Sequence, residues 1–170
     1  MKKNIEVPAL SRVEGEGALY IRLKDGSIAE IEVNIYEPPR FFEGFLRGRF
    51  IQEVPDITAR ICGICPVAYQ MSSVQAFERA LRIVITPEIR ALRRLFYCGE
   101  YIESHALHVY LLQAPDLFGV ESALTLAEIA PDVVKRALRM KKIGNDILRL
   151  IGGRSVHPVN ACVGGFYRWP

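Results

Sequence analysis

Long apolar runs are missing from this 170-residue chain. No stretch approaches the roughly 20 residues that a bilayer-spanning helix needs, so no transmembrane segment is expected. Met1-Lys-Lys-Asn4 leads straight into an alternating pattern, with no apolar signal segment. Charge of one sign is also scarce. The formal net charge is +3, and the basic pairs (Arg47/Arg49, Arg93/Arg94, Lys135/Arg136, Lys141/Lys142) alternate with acids. That pattern reads as solvated helix faces and gives no expectation of nucleic acid as a partner. Four cysteines, at 62, 65, 98 and 162, are too few without a signal peptide to read as a disulfide framework. They point to a reducing, cytoplasmic setting in which thiols are free to bind metal. Internal repeats and low-complexity tracts are absent, and the glycine-bearing tail lacks the spacing of a phosphate cradle.

What is present is an ordinary globular balance, half hydrophobic and a quarter charged, in a chain long enough to bury a core as one domain, residues 1–170. Leu19, Ile21 and Leu23, then Ile31, Val33 and Ile35, alternate on either side of Asp25-Gly26, which predicts a hairpin in a small antiparallel sheet over 1–37. Pro38-Pro39 ends it, and 38–66 reads as a loop rich in arginine and aromatics. Pro66 opens a helix carrying Val67, Met71, Val74, Phe77 and Leu81 at helical spacing. Thr86-Pro87 caps a second long helix, ending near Gln113 and followed by a loop at 114–119. A third helix begins near Pro131 and stops at Gly152-Gly153. The tail, 153–170, reads as a glycine loop. The fold class is therefore α+β: an N-terminal hairpin or small sheet followed by a mainly helical layer.

The chemistry concentrates in Arg60-Ile-Cys-Gly-Ile-Cys-Pro66. Two thiols three residues apart at a helix start meet unpaired N–H groups and a positive dipole end, which favour the thiolate that ligates metal or attacks disulfides. A thioredoxin-like pair needs a strand–CxxC–helix unit in a parallel sheet. A structural zinc site needs four ligands, and Cys98, Cys162, His105, His108 and His157 lack zinc spacing. Both uses remain open on the pair alone.

The flanking motifs narrow the choice. Arg12-Val-Glu-Gly-Glu-Gly17, Glu43-Gly-Phe-Leu-Arg-Gly-Arg49, Ala59-Arg-Ile-Cys-Gly-Ile-Cys-Pro66, Glu103-Ser-His-Ala-Leu-His108 and Gly153-Arg-Ser-Val-His-Pro158 with Gly164-Gly165 together resemble the N-terminal portion of [NiFe] hydrogenase large subunits. The resemblance covers almost the whole chain. Pro66-Val-Ala-Tyr-Gln70 is most similar to the cytoplasmic branch linked to NAD(P) or sulfur reduction.

The resemblance implies a large-subunit fold, reversible oxidation of H2 to protons and electrons, and a Ni–Fe centre whose iron carries CO and cyanide ligands. By that match Cys62 is a terminal nickel ligand and Cys65 a sulfur bridging both metals, thiolate being the soft ligand these metals take. Glu14 matches a proton-transfer carboxylate, and Glu43 a ligand of Mg2+ or a similar ion. Read without the family, Glu14 is a surface acid beside Arg12, and Glu43 an ion-pair partner of Arg47 or Arg49. Tyr69 stands where many relatives carry His, which removes a group able to titrate near neutral pH. His105 and His108 read as core or interface histidines. Arg154 and His157 match a loop facing a partner, and Cys98 and Cys162 default to buried thiols. Phe41, Phe42, Phe45 and Phe50 read equally as core or as a partner surface. The implied partners are an iron–sulfur small subunit bearing its clusters, NAD(P)- or flavin-binding electron-transfer subunits, maturation proteins, and the C-terminal half of the large subunit. No second CxxC occurs, so the chain is expected to supply two of four thiolates and to be inactive alone. The alternatives are a non-catalytic scaffold subunit related to hydrogenases, or a small zinc or redox module.

Overall fold

Asp25 and Gly26 both adopt positive φ, 52° and 82°, the mirror-image turn whose twist matches that of paired strands. They join β2 (Gly17–Lys24) to β3 (Ser27–Ile35), and β1 (Lys2–Val7) adds to the other side of β2 in an all-antiparallel sheet of order β1-β2-β3. The computed structural model describes residues 2–11, 13, 15–37 and 40–170, and its backbone divides into two compact units, 1–41 and 42–170. Pro38-Pro39, expected to end the sheet, lies outside the described residues.

In the first unit the register stacks Val7, Leu19 and Val33 in one row and Ile5, Ile21 and Ile31 in the next. The period-2 alternation thus gathers the branched residues on one face. Glu6, Tyr20, Arg22, Glu30 and Glu32 fall on the other, where Arg22 pairs with Glu30. Ile31 and Val33 remain more than half exposed, at 53% and 59%.

The second unit is helical: α1 (Phe42–Leu46), α2 (Val54–Ala59), α3 (Pro66–Leu81), α4 (Pro87–Ala106), α5 (Ala114–Leu117), α6 (Ala123–Ile129) and α7 (Pro131–Gly152). A two-strand ribbon, β4 (Ala161–Cys162) with β5 (Gly165–Phe166), follows. Its core joins Val67, Met71 and Val74 of α3, Phe96 of α4, Leu148 and Ile151 of α7, and Ala161 of β4. Each large side chain buried there contributes about 1.5–3 kcal/mol. Helices α4 and α7 cross with their backbones close, because Gly99 and Gly144 meet. A Cβ on Gly144 would lie 2.6 Å from the Glu103 nitrogen and 2.7 Å from the Gly99 oxygen.

Three helix boundaries follow the sequence signals. Pro66 opens α3, the Thr86 hydroxyl accepts the Ile89 N–H at 3.4 Å, and Gly153 ends α7 at φ 84°. Three segments differ from expectation. The stretch 38–66 is not all loop but holds α1 and α2, the latter started by Pro55 and stitched by Thr58 Oγ1 to the Val54 and Pro55 carbonyls. The expected loop at 114–119 is not all loop either, since it opens with α5, and the end of the second long helix is not α-helical throughout. Leu107–Gln113 widens into a π-helical stretch that runs directly into α5. Pro115 has no N–H for an i→i−4 bond, and the wider turn accommodates that break. Lastly, the tail is not merely a loop: β4 and β5 pair across a turn in which Gly164 takes φ 89°.

Candidate metal centre

Cys62 and Cys65 occupy the turn between α2 and α3, both half-buried and neither in a disulfide. The Cys65 N–H donates to Cys62 Sγ at 3.1 Å, so the backbone of one cysteine orients the sulfur of the other. Cys65 is the residue preceding helical Pro66, and its side chain makes no capping hydrogen bond.

Contacts from three directions hold this turn. Thr58 Oγ1 and Ser73 Oγ lie 3.0 Å apart, tying α2 to α3 on the two sides of the pair. The 153–158 loop grips both flanks: His157 Nδ1 is 2.8 Å from the Ala59 carbonyl, and Gln70 Nε2 donates to the Pro158 carbonyl at 2.8 Å. His157 holds φ 48°, a conformation that L residues rarely adopt, and Arg154 Nε donates to its carbonyl at 2.6 Å. From α4, buried Glu100 accepts the N–H of Val67 at 2.6 Å and of Ala68 at 3.2 Å.

The electrostatics around the turn are mixed. Burial pushes the Asp56 carboxyl above its ordinary value, opposed by the charges of Arg60 and Arg154. Burial also pushes the Glu100 carboxyl up to about 7, against the pull of the Val67 and Ala68 N–H groups and with further help from the charge of Glu103. The open, anion-attracting helix start expected from sequence is therefore already engaged. Its N–H groups at 67 and 68 point to Glu100.

Of the other expected site residues, Glu14 lies outside the described residues, as does Arg12. Beside Glu14, Gly15 takes φ 84°, and a Cβ there would come within 2.5 Å of Glu37 Oε2, so the motif needs glycine at that position. Glu43 stands exposed on α1 and has no ion-pair partner among the described residues; Arg49 pairs with Glu53 instead, at 3.5 Å. Tyr69 is partly exposed. His105 is exposed and stacks on Tyr101 at 5.7 Å, and His108 is also exposed, so neither is a core histidine. Cys98 is exposed rather than buried, because it faces outward on α4. Cys162 is half-buried, and burial raises its thiol pKa. Phe41, Phe45 and Phe50 are surface residues and only Phe42 is partly covered.

Among the described residues no group of three or more His, Cys, Asp or Glu side chains could hold a metal ion. Both sheets are antiparallel and the cysteine turn joins two helices, which is not the strand–CxxC–helix unit of a thioredoxin-like pair. Two thiols on one turn suit a soft metal, and a four-coordinate site would need further ligands. Three features of this neighbourhood are not foreseen from sequence: Glu100, Gln70 and the Thr58–Ser73 link. Buried Gln70 and Glu100 look like surface positions by residue type. Only their place on the apolar stripe (Gln70 three residues after Val67 and four before Val74, Glu100 four after Phe96) offers a signal. A concavity of about 900 Å3 between the end of α3 and the start of α4 is lined in part by Arg79, Arg82, Arg90 and Arg94 and does not include the cysteine pair.

Comparison with known proteins agrees with this arrangement. A family model described as nickel-dependent hydrogenase matches residues 40–141. The chain is 45% identical over 166 residues to the alpha subunit of sulfhydrogenase 2 of Pyrococcus furiosus, covering 98% of this chain and 40% of that protein. It is 38% identical over 169 residues to a subunit of the F420-non-reducing hydrogenase vhu of Methanocaldococcus jannaschii, covering 95% and 40%. Among solved structures, an NAD+-reducing [NiFe]-hydrogenase in the H2-reduced state superposes with a TM-score of 0.85 at 31% identity, covering 98% of this chain and 39% of that one. The reduced Ni-Fe-Se hydrogenase of Desulfovibrio vulgaris Hildenborough gives 0.81 at 27% identity, covering 100% and 38%. The chain thus spans about 40% of the length of these relatives.

Proposed function

The chain belongs to the nickel-dependent hydrogenase family, and from that premise we propose that it is the N-terminal part of a large subunit that interconverts H2 with protons and electrons. The observation that carries the reading is the cysteine turn. Two half-buried thiols sit on one rigid corner, with the Cys65 N–H at 3.1 Å from Cys62 Sγ. Such a corner supplies ligands to a metal whose remaining ligands come from elsewhere.

In this reading Cys62 and Cys65 hold one side of a nickel–iron centre, which when bound supplies Lewis-acid polarisation of H2 and accepts its electrons. The bond from the Cys65 N–H steadies the sulfur of Cys62, as outer contacts do at metal sites. Glu14 moves the proton between the site and solvent, a task that a carboxylate can perform in either direction. Glu43 binds a hard cation, Mg2+ or similar, through oxygen. Exposed Phe41, Phe45 and Phe50 offer apolar surface to a partner polypeptide. The partner that receives the electrons is an iron–sulfur subunit, the setting is cytoplasmic, and the CO and cyanide ligands of iron are installed by maturation proteins.

The test is the full-length subunit that carries this sequence, matured and purified. It should contain nickel, lose it in C62S and in C65S, and reduce a dye with H2. E14Q should keep nickel and lose most H2 turnover and H/D exchange. Nickel retained in both cysteine variants would remove the reading.

A further inference from the structure

The concavity of about 900 Å3 between the end of α3 and the start of α4 has no part in the function proposed above. Arg79 and Arg82 line it from the end of α3, Arg90 and Arg94 from the start of α4. All four are exposed, and none pairs with an acid among the described residues. The one acid in the lining, Glu78, is already held by both arms of buried Arg93 and by the Gly164 N–H. The concavity therefore carries positive charge that its own side chains do not balance.

That charge stands against local preference. Arg90 and Arg94 are four residues apart on α4, a like-charge spacing that weakens a helix. Arg90 also lies in the first turn, close to the positive end of the helix dipole. A negative group brought in from outside relieves both. The stripe continues along α4 with Tyr97 and Tyr101, so that positions 90, 94, 97 and 101 share one face over about 16 Å. Arginine and tyrosine are among the side chains that most often carry binding energy at protein interfaces. Between the two arginine pairs, Ile83 and Val84 add exposed apolar surface.

Two other kinds of anion fit this surface less well. A compact phosphate is gathered by backbone N–H groups of a glycine turn or an open helix start. Among the described residues no glycine lines the concavity, and Thr86 already caps α4. A single-stranded nucleic acid needs open ring faces on which bases stack. Here Tyr101 is stacked on His105 at 5.7 Å and 16°, and Tyr97 tilts against it at 6.2 Å.

We propose that this concavity is a docking surface for an acidic polypeptide segment of a partner protein, one that alternates carboxylates with apolar side chains. The carboxylates meet the four arginines, spread over two helices, and the apolar residues cover Ile83 and Val84. The cysteine pair plays no part in this docking, so the proposal stands or falls apart from the metal centre.

The experiment uses the full-length subunit that carries this sequence. Cys98 lines the concavity and is exposed, so its alkylation by a maleimide, followed by mass spectrometry of the peptide containing it, reports whether the surface is covered. Cys98 should react in the subunit alone and be protected by a synthetic peptide of alternating Glu and Leu. The same peptide with Gln in place of Glu should protect far less. In R90Q/R94Q the acidic peptide should bind roughly tenfold more weakly or worse, the usual consequence of removing interface arginines. R136Q/R139Q, exposed on α7 outside the concavity, should behave as parent. If R90Q/R94Q does not fold, R79Q/R82Q on the opposite wall makes the same comparison. An unreactive Cys98 in the lone subunit would mean that the subunit covers the surface itself, which overturns the proposal. An acidic peptide that does not protect, or that protects parent and variant alike, overturns it too. So does a thymidine oligonucleotide or pyrophosphate that protects as well as the acidic peptide.

Discussion

Glu100 and Glu78 are buried carboxyls with opposite pH behaviour. The Glu100 pKa is pushed up to about 7, so the folded chain keeps its proton where the unfolded chain, near the ordinary value of 4.5, has lost it. Protonation then favours the folded state: its contribution is full below pH about 4.5 and is given up as pH rises toward 7. Stability of the helical unit should therefore fall by up to about 3 kcal/mol across that window. E100Q should remove this part of the slope, as urea unfolding at pH 5 and pH 7.5 would measure. For Glu78 burial raises the pKa, but the hydrogen bonds from Arg93, the Gly164 N–H and the guanidinium charge together hold it below the usual range. Its contribution is present above the unfolded value and is lost as pH falls through the folded one. Acid unfolding of this unit should then be delayed in parent relative to E78Q.

At the scale of elements, two close approaches set the geometry on which the cysteine turn stands. The Arg93 fork grips Glu78 at 2.7 and 2.8 Å and reaches the Cys162 carbonyl at 3.1 Å, joining α3, α4 and β4. R93L should cost about 3–5 kcal/mol, because it strands a buried carboxylate, while an apolar replacement of both partners should recover much of that. Chemical denaturation of the single and double variants distinguishes the two outcomes. The second approach is Gly99 against Gly144. A methyl at Gly144 meets backbone rather than a movable side chain, so G144A should force α4 and α7 apart at about 1–3 kcal/mol. Since Glu100 and Glu103 ride on that crossing, hydrogen exchange at 62–70 should rise in G144A as well.

For the whole molecule, exposed apolar surface is the dominant property. Val84, Leu117, Leu124 and Phe50 are 90%, 85%, 82% and 76% exposed, and the sheet leaves Ile31 and Val33 uncovered in its own unit. A polypeptide of residues 1–170 alone should therefore self-associate or need a partner polypeptide. Analytical ultracentrifugation giving a single monomeric species with a sharp melt would contradict this. No helix among the described residues is long and apolar enough to cross a membrane, so these surfaces are not those of a helical membrane span.

Much of this was legible in the chain itself. Local signals determined local structure: Asp25-Gly26 with flanking alternation specified the hairpin, Pro66 and Thr86-Pro87 the starts of α3 and α4, and Gly153 the end of α7. Each acts through its own backbone preference within a few residues. The order of motifs around Cys62 and Cys65 likewise carried the family, because thiolate chemistry needs those side chains whatever surrounds them. Tertiary structure alone decided the rest. It put α5 into the expected loop at 114–119 and widened the end of the second long helix into a π-helical stretch, placed Cys98, His105 and His108 outside, and occupied the start of α3 with a carboxyl group 33 residues away from Val67. A helix N-terminus announces in sequence that it has unpaired N–H groups, but which distant oxygen meets them depends on how helices pack. That packing turned on the Gly99–Gly144 crossing, where the absence of side chains, not their presence, brings Glu100 to the cysteine turn.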